Sequence, residues 1–483
     1  MVDKFLKTRP ESKNKKDKKQ KQKKSEKDKK LFLKGRILHN MKLEIERSEF
    51  LKAWQLAEKS ASSKTTVEST SGIFINADSQ FNQPIVTLEA TDLKTSVKCC
   101  AQGVNVLEPG SAVLPVSLLG SLLKKIKADK IIIEVNNERG VLTAGKSRTR
   151  FTIIPVADFP GIPKSNSAEE ICEILAQDFI KLVNEGSCAS STPADFPKYL
   201  GTCLLRTNET CIKAVSTDGK RLSLSQNFCT IKKIDDLLLP AAALKELAKN
   251  IQSNSKSESL VKILSDGSTV WFKLDDIEFS IRRIEAPFPA YERILNKDIR
   301  TTLKIDCDEF NSALDRIDVI AKTTPTHIAA ISMIPNGELK ITTRAPDLGA
   351  SSEVIDSNDA KIDGAQMVIG FNVGYLQDGL KAMGACEVSI EFSDVEGQAR
   401  LFRSNSEDFL YMLMPARLSP QDIITDDEIS DFAPSSQTQI SETDSNPEPE
   451  QEPVPENFET QEPEQEQDSW DNTNSEQDDG FNA

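Results

Sequence analysis

The acidic–phenylalanine pair Glu49-Phe50 recurs as Asp178-Phe179 and Glu309-Phe310, at intervals of 129 and 131 residues. A second motif repeats at the same distance, because Ala157-Asp158-Phe159-Pro160 returns as Ala286-Pro287-Phe288-Pro289, 129 residues later. A long internal repeat of this kind indicates one fold used several times along the chain. The sequence therefore predicts three units of similar architecture.

Each repeat shows the periodicity of a helix twice. Apolar residues spaced i, i+4 and i+7 predict a first helix that starts on the acidic–phenylalanine pair, and a spacing of i, i+3, i+4 and i+7 predicts a second helix. The sets are Phe50, Trp54 and Ala57 in the first unit, Phe310, Leu314 and Ile317 in the third, and Leu244, Leu247, Ala248 and Ile251 for the second helix of the middle unit. A strand, a turn and a strand follow each second helix, as around Asp266-Gly267. Two helices on an antiparallel sheet predict an α+β fold for each unit.

Charge is distributed unevenly along the chain, whose formal net charge is −15. Residues 1–40 hold 16 Lys/Arg and 5 Asp/Glu, whereas residues 419–483 hold 20 Asp/Glu and no Lys/Arg. Segments of such composition bury too little apolar surface to fold. We therefore expect a disordered Lys-rich extension at 1–40, domains at 41–165, 166–297 and 298–418, and a disordered acidic tail at 419–483.

Three interpretations of the Lys-rich extension remain open. It is a solvated tail, or the true start of the protein is Met41, where the alternation of a strand begins. The third interpretation is a basic arm that contacts the phosphates of DNA.

Several kinds of chemistry find no support in the sequence. Nine cysteines occur without a CxxC pair or regular spacing, which is typical of reduced structural thiols in a cytosolic protein. Only two histidines, His39 and His327, are present, which nearly excludes a histidine-dependent triad or a histidine-ligated metal site. There is no glycine-rich phosphate loop, no nucleophile elbow and no apolar run of about 20 residues that could span a membrane. We expect no catalytic site, no metal and no cofactor.

The helix faces that do not pack on a sheet carry lysine. Lys245 and Lys249 lie four residues apart, away from the apolar stripe of their helix. Other such positions in the three units hold Lys52, Lys59, Lys124, Lys125, Lys127, Lys181, Arg316, Lys322 and Lys381. Each one alone is compatible with an ordinary solvated face. Their recurrence favours a contact with nucleic-acid phosphates that is indifferent to base sequence.

Several motifs together resemble the bacterial DNA polymerase III beta subunit family, the sliding clamps of replication. The most specific are Thr217-Asp218-Gly219-Lys220-Arg221-Leu222 and the closing Met414-Pro415-Ala416-Arg417-Leu418. Ala157-Asp158-Phe159-Pro160, Phe288-Pro289-Ala290-Tyr291 with Arg293, and Gly370-Phe371-Asn372-Val373 with Tyr375 also fit the family. The resemblance covers residues 41–418, which include all three units.

The resemblance implies a non-enzymatic DNA sliding clamp. In this family, a head-to-tail homodimer forms a ring around double-stranded DNA, with the helices lining the hole. The implied partners are the DNA polymerase III alpha subunit, an ATP-driven clamp loader and other proteins with a clamp-binding motif, in a holoenzyme with polymerase and 3′–5′ exonuclease activities. The implied location is the cytoplasm, with the nucleoid. A clamp-fold adaptor that binds proteins without encircling DNA is the alternative.

The resemblance also implies a groove for partner peptides between the second and third units. By position in the motifs it would comprise Tyr199, Leu200, Thr217, Gly219, Lys220, Arg221, Leu222, Pro240, Leu244, Met412, Met414, Pro415 and Arg417. Leucine, proline and methionine would give an adaptable apolar surface, and Arg221 and Arg417 a charged rim. From the residues alone, Leu222, Leu244 and Met414 are also compatible with an ordinary core, and Asp218-Gly219 with an ordinary turn.

Two more surfaces follow from the same resemblance. At the subunit junction, Phe151 of the first unit would meet Val319 and Ile320 of the third, although Thr149 stands where a second large apolar residue is usual. Loops that contact DNA would contain Lys64 and Lys198-Tyr199.

The acidic tail departs from the family, whose chains normally stop at the position of Leu418. Within it, Gln477 and Phe481 have the spacing of a clamp-binding peptide but lack the apolar residue between them. A tail that solvates the ring or repels stray DNA is one hypothesis, and a tail that competes with partners for the groove is another.

Overall fold

The computed structural model describes residues 40–61, 67–78, 85–136, 139–192, 197–256, 258–295 and 298–424. Within these residues each unit has one strand, a helix, five strands, a second helix and three strands, in that order. The first unit comprises β1 (Met41–Glu46), α1 (Arg47–Glu58), β2 (Gly72–Asp78), β3 (Ile85–Thr91), β4 (Thr95–Cys100), β5 (Val104–Glu108), β6 (Gly110–Pro115), α2 (Val116–Lys125), β7 (Lys130–Asn136), β8 (Arg139–Ala144) and β9 (Ser147–Thr152). The second comprises β10 (Glu169–Leu175), α3 (Ala176–Gly186), β11 (Thr202–Thr207), β12 (Cys211–Thr217), β13 (Arg221–Phe228), β14 (Thr230–Ile231), β15 (Asp236–Pro240), α4 (Ala241–Asn254), β16 (Leu260–Ser265), β17 (Thr269–Leu274) and β18 (Ile277–Arg282). The third comprises β19 (Thr301–Asp306), α5 (Cys307–Ala321), β20 (Ile328–Met333), β21 (Leu339–Ala345), β22 (Gly349–Ile355), β23 (Ala360–Gly364), β24 (Met367–Asn372), α6 (Val373–Met383), β25 (Glu387–Phe392), β26 (Ala399–Arg403) and β27 (Phe409–Leu413).

Successive units share antiparallel sheets. One nine-stranded sheet has the order β14-β10-β16-β17-β18-β4-β3-β2-β6, so it takes five strands from the second unit and four from the first. Another has the order β15-β11-β12-β13-β27-β26-β25-β19-β23, with four strands from the second unit and five from the third. Each junction between units is therefore a continuous ladder of backbone hydrogen bonds, made by β18 with β4 and by β13 with β27.

The two remaining sheets are not extended by another unit. The first unit keeps a five-stranded sheet, β5-β1-β7-β8-β9, and the third keeps a four-stranded sheet, β22-β21-β20-β24. In the described part of the chain, β9 and β22 are edge strands of these sheets. These two sheets thus have five and four strands, the same numbers that two units contribute to each nine-stranded sheet.

The predicted apolar stripes lie in the core, which confirms the helix assignments. Phe50 and Trp54 of α1, Phe310 and Leu314 of α5, and Leu244 of α4 are each 0% exposed. The spacing places these side chains on one face of each helix, where they pack against the sheets. The α+β fold with antiparallel sheets is thus as predicted.

Among the α-helices of the described residues, only the two of the third unit begin on side-chain caps. Asp306 accepts hydrogen bonds from the amides of Asp308 and Glu309 at 2.9 and 3.1 Å at the start of α5. Asn372 accepts one from the Tyr375 amide at 3.0 Å at the start of α6. These bonds satisfy amides that have no partner within the helix. The other four described helices have no side-chain cap at their first turn.

The chain stays ordered a little beyond the predicted end of the third domain. Ser419 and Asp422 form a reciprocal capping box around a short 3₁₀ turn, Pro420–Asp422, and Ile424 is 4% exposed. The described residues thus extend to Ile424, inside the segment 419–483 predicted as a disordered tail, and the bounds of that tail stay a prediction. The rest of the tail and residues 1–39 lie outside the described residues, and the domain boundaries at 165/166 and 297/298 stay predictions.

Candidate functional sites

The turn motif and the closing motif lie side by side at the junction of the second and third units. Leu222 on β13 is the ladder partner of Met412 on β27. Just beyond the strands, the Met414 amide donates a hydrogen bond to the Lys220 carbonyl at 2.9 Å. The junction ladder thus brings together two segments that are far apart in the sequence.

The turn between β12 and β13 is held by its own side chains. Asp218 accepts hydrogen bonds from the amides of Lys220 and Arg221 at 2.9 and 3.0 Å. The Thr217 hydroxyl donates to the Arg221 carbonyl at 2.6 Å and accepts from the Gly219 amide at 3.0 Å. Gly219 has a φ of 87°, a conformation that glycine adopts without steric cost. Thr217, Asp218 and Gly219 therefore determine the shape of the loop, which leaves the exposed Lys220 at its tip.

The structure puts Arg221 inside the junction and not at an open rim, where the sequence analysis placed it. Its side chain is 9% exposed, and the guanidinium donates to Asp218 at 2.9 Å and to Asp378 at 2.6 Å. It also donates to the Tyr411 hydroxyl at 3.2 Å and lies 4.2 Å from the centre of the Tyr375 ring. Burial acts to lower the pKa of Arg221, but Tyr411 and Asp378 outweigh it and raise that pKa above its ordinary value. Because three of these partners belong to the third unit, Arg221 acts as a charge-neutralised link between units.

The apolar residues predicted for the groove differ in how much surface they offer. Leu222 and Met412 are 4% and 3% exposed and belong to a cluster that includes Tyr291. Leu244 is 0% exposed and belongs to a separate core cluster. These three side chains therefore have the burial of core residues. Met414, at 48% exposure, does offer apolar surface.

The remaining residues predicted for the groove are Tyr199, Leu200 and Pro240 of the second unit and Pro415 and Arg417 of the third. The Tyr199 ring packs edge-on against Phe288, with ring centres 6.1 Å apart. The Leu200 carbonyl accepts a hydrogen bond from the Ser191 amide at 2.8 Å. Pro240 immediately precedes α4, Pro415 is half-buried and Arg417 is exposed.

Two pockets open beside the N-terminus of α4, and Ala242 lines both. The pocket toward the third unit has a volume of about 390 Å³ and is lined by Ser190, Ser191, Thr192, Asp218, Arg221, Ala242, Lys245 and Tyr375. The Lys245 ammonium donates to the Ser190 hydroxyl at 3.3 Å within it. Sequence reasoning did not assign Ser190, Ser191 and Thr192 to any site, because no motif contains them, whereas Tyr375 stands in a quoted motif.

The pocket toward the first unit is larger, about 530 Å³, and more apolar. Its wall includes Pro240, Ala243, Leu247 and Ile281, and its polar residues include Lys59 and Lys198. This pocket therefore contains Pro240, which was predicted for the groove, together with Lys59 and Lys198, which were predicted to face DNA. The two pockets thus form a concave surface on both sides of the α4 N-terminus.

The residues predicted to face DNA lie at the surface or are half-buried, and several of their charges are paired with acidic side chains. Among those described, Lys52, Lys59, Lys124, Lys125, Lys127, Lys181, Lys198, Lys249, Arg316, Lys322 and Lys381 are exposed and Tyr199 and Lys245 are half-buried, whereas Lys64 lies outside the described residues. The six described helices carry nine Lys/Arg and ten Asp/Glu. Ion pairs join Lys52 to Glu49 and Lys124 to Glu58, both at 3.0 Å. Acidic partners of this kind weaken the attraction of these cations for a polyanion.

The residues predicted for a subunit junction lie on β9, which is an edge strand among the described residues, and at the end of α5. Phe151 is 6% exposed on the edge strand β9. Val319 is 59% exposed and Ile320 half-buried in the last turn of α5. The third unit therefore has both an exposed apolar side chain, Val319, and the edge strand β22.

Comparison with known families matches both ends of the repeated region. The N-terminal domain of the DNA polymerase III beta subunit matches residues 41–163, and the C-terminal domain of that subunit matches residues 292–417. The chain belongs to the DNA polymerase III beta subunit family. Together the two matches span just over half of the sequence and confirm the resemblance.

Curated relatives and solved structures of this beta subunit family agree. The beta sliding clamp of Pseudomonas putida is 26% identical over 381 residues, covering 78% of this chain and 100% of the relative. The sliding clamp structure from Bacillus subtilis has a TM-score of 0.73 at 23% identity, covering 79% of this chain and 100% of that one. The DNA polymerase III subunit beta structure from Pseudomonas aeruginosa has a TM-score of 0.72 at 24% identity, covering 78% and 100%. The relatives favour the sliding clamp over the adaptor alternative.

The described residues of this beta subunit were also searched for a membrane-spanning helix and for a metal site. No helix there is long and apolar enough to cross a membrane. No group of three or more His, Cys, Asp or Glu side chains in the described ranges is arranged to hold a metal ion.

Proposed function

We propose that two copies of this protein close head to tail into a ring that encircles duplex DNA and tethers replication proteins to it. The observation that carries the proposal is the strand count of the sheets. Each internal junction joins five strands of one unit to four of the next, and the two unextended sheets have five and four strands. A second copy can complete both, because the free β9 of each chain then meets the free β22 of the other. Contact between two different surfaces that closes after two copies gives a ring and no filament.

The internal junctions also predict the register of the contact between copies. Position by position in the sheets, β9 corresponds to β18 and β27, and β22 corresponds to β4 and β13. Ile281 pairs with Thr95 at one internal junction, and their equivalents at the free edges are Phe151 and Gly349. The same correspondence sets Thr149 opposite Ser351 of the second copy. A buried edge also avoids the risk that unpaired strands carry for uncontrolled association.

The proposed hold on DNA is topological. The described helices carry nearly equal numbers of acidic and basic residues, so a strong electrostatic grip is not expected. A closed ring needs no such grip, and weak contacts that are indifferent to base sequence let it slide. The lysines predicted to face DNA, among them Lys125 and Lys249, would supply these contacts.

The proposed tethering site is the surface around the α4 N-terminus and Met414. The two pockets, the exposed Met414 side chain and the exposed Arg417 offer an apolar and cationic surface for a short peptide with an acidic or polar end. The DNA polymerase III alpha subunit and a clamp loader are the proposed occupants. The protein would act in the cytoplasm without chemistry of its own, and the energy for opening the ring would come from the ATP-driven loader.

Retention on DNA of different topology tests the proposal. The labelled protein is loaded onto nicked circular plasmid with a clamp loader and ATP, filtered through a sizing column, and compared with a sample whose plasmid is then cut once. Co-elution with the circle that disappears after linearisation is expected. Retention on both forms would mean ordinary charge binding. Absence from both, with dimers present and the loader active on another clamp, would favour the adaptor.

A further inference from the structure

Two cysteines of the third unit are in contact although 79 residues separate them in the sequence. The Sγ atoms of Cys307 and Cys386 are 3.4 Å apart. The Cys307 amide also donates a hydrogen bond to the Cys386 carbonyl at 2.9 Å. Cys307 is the first residue of α5, Cys386 precedes β25, and both are free thiols.

The backbone contact belongs to the repeated fold, whereas the thiols do not. At the equivalent place in the first unit, the Arg47 amide donates to the Asp129 carbonyl at 2.8 Å. In the second unit, the Ala176 amide donates to the Ser259 carbonyl at 2.9 Å. The fold therefore holds these two chain segments together in every unit, and only the third unit places two sulfur atoms there.

The local backbone suits a disulfide. Asp306 and Glu387 are the last Cα partners of the antiparallel β19–β25 ladder, and Cys307 and Cys386 are the next residues beyond it, joined by their backbone hydrogen bond. Directly opposed residues in such a pairing have Cα atoms about 4.5–5.5 Å apart, which lies within the range of about 4.4–6.8 Å that a disulfide spans. The segment that carries Cys386 is short and follows the C-terminus of α6 at the exposed Gly384.

We propose that Cys307 and Cys386 form a reversible disulfide when the protein meets a peroxide. Cys386 is the half-exposed member and is the one that a peroxide reaches, whereas Cys307 is 2% exposed. The Cys386 sulfur attacks the peroxide O–O bond and becomes a sulfenic acid, and the other oxygen leaves as an alcohol or water. The Cys307 sulfur then attacks the sulfenic sulfur, a water molecule leaves, and the S–S bond forms. Two thiols lose two electrons, the peroxide gains them, and a dithiol reductant reverses the step.

The order of the two cysteines follows from their surroundings. Burial raises the pKa of Cys307, and the neighbouring Cys386 adds to the rise, so Cys307 is a poor first nucleophile. It is nevertheless in contact with the sulfur that would be oxidised first. The link would close a loop that contains α5, five strands, β22 among them, and α6, and it would restrict the unfolded chain.

The test uses the full-length protein and hydrogen peroxide. After treatment, free thiols are blocked with iodoacetamide, and the digest is analysed by mass spectrometry. A peptide pair joined through Cys307 and Cys386, which dithiothreitol separates, is the expected result. Cys386→Ser should abolish this pair, whereas Cys100→Ser, which removes another half-buried thiol, should leave it intact. Full alkylation of both cysteines after peroxide, or conversion of Cys386 to a sulfinic acid without a link, would overturn the proposal.

Discussion

Replacing Arg403 with alanine should destabilise the junction of the second and third units by about 3–5 kcal/mol, the usual cost of removing one partner from a buried ion pair. Arg403 in β26 donates to Glu185 of α3 at 2.6 Å and to Asp408 at 3.0 Å. The side chains of Arg403 and Glu185 are only 15% and 3% exposed. After the substitution, the Ser225 hydroxyl, at 2.6 Å, would be the one hydrogen-bond donor left to the Glu185 carboxylate among the described residues.

The cost of this substitution should depend on pH in a particular direction. Burial raises the pKa of Glu185 even in the intact protein, because it outweighs the opposing effects of Ser225 and Arg403. Without Arg403 that pKa should rise further. An acid whose folded pKa exceeds its unfolded pKa binds more protons in the folded state, so stability falls as pH rises through the interval between the two values. The cost of Arg403→Ala should therefore be largest near pH 8 and shrink toward about pH 5, just above the unfolded pKa of about 4.3.

Urea unfolding followed by circular dichroism at both pH values measures this cost. Arg400→Ala is the matched control, because Arg400 in the same strand pairs at 3.2 Å with Glu391 of its own unit. The Arg400 and Glu391 side chains are 25% and 18% exposed, more than those of Arg403 and Glu185, so the loss of this pair should cost less than Arg403→Ala does. The double variant Glu185→Gln with Arg403→Ala should recover part of the loss, since it leaves no buried charge. A cost for Arg403→Ala that equals the control, or that does not change with pH, would refute the reasoning.

Two other predictions concern the ring. A chain with Thr149→Cys and Ser351→Cys should form a covalent dimer on a non-reducing gel after mild oxidation, whereas Thr149→Cys with Ala350→Cys should not, because a one-residue step turns the side chain to the other face of the sheet. Equal cross-linking of both variants would contradict the proposed register. Reversing Lys245 and Lys249 to glutamate should weaken direct binding to duplex DNA and lower the salt dependence of the binding constant, by about one unit of log–log slope for each phosphate that the protein no longer neutralises. Unchanged anisotropy titrations across a salt series would remove these two residues from the DNA surface.

The repeated architecture could be predicted from the sequence because it depends on local patterns. The apolar spacing around Phe50 and Phe310 specifies a helix face, and both side chains are fully buried as expected. The repeat distance then predicts the same helix in each of the three units. The way the units join could not be predicted, because a strand such as β13 has the same alternation whether its neighbour comes from its own unit or the next.

The candidate site was only partly accessible to sequence reasoning. The turn motif correctly identifies the segment beside Met414, but it does not say that the Arg221 side chain points to Asp378, 157 residues away. Leu244 was predicted both for the apolar stripe of a helix and for the wall of the groove. Its side chain is completely buried, as expected of a core residue. The contact between Cys307 and Cys386 leaves no spacing signal, since it arises from the pairing of β19 with β25.

The central claim is that two copies close into one ring, with β9 of each chain against β22 of the other. The chain with Thr149→Cys and Ser351→Cys is loaded onto nicked circular plasmid, oxidised so that both junctions become covalent, and then heated in detergent. The protein should remain with the circular DNA after denaturation, because a covalently closed ring stays linked to a circle, and should be released when the plasmid is cut. Release from the intact circle, despite complete cross-linking of the dimer and an active loader, would contradict the ring.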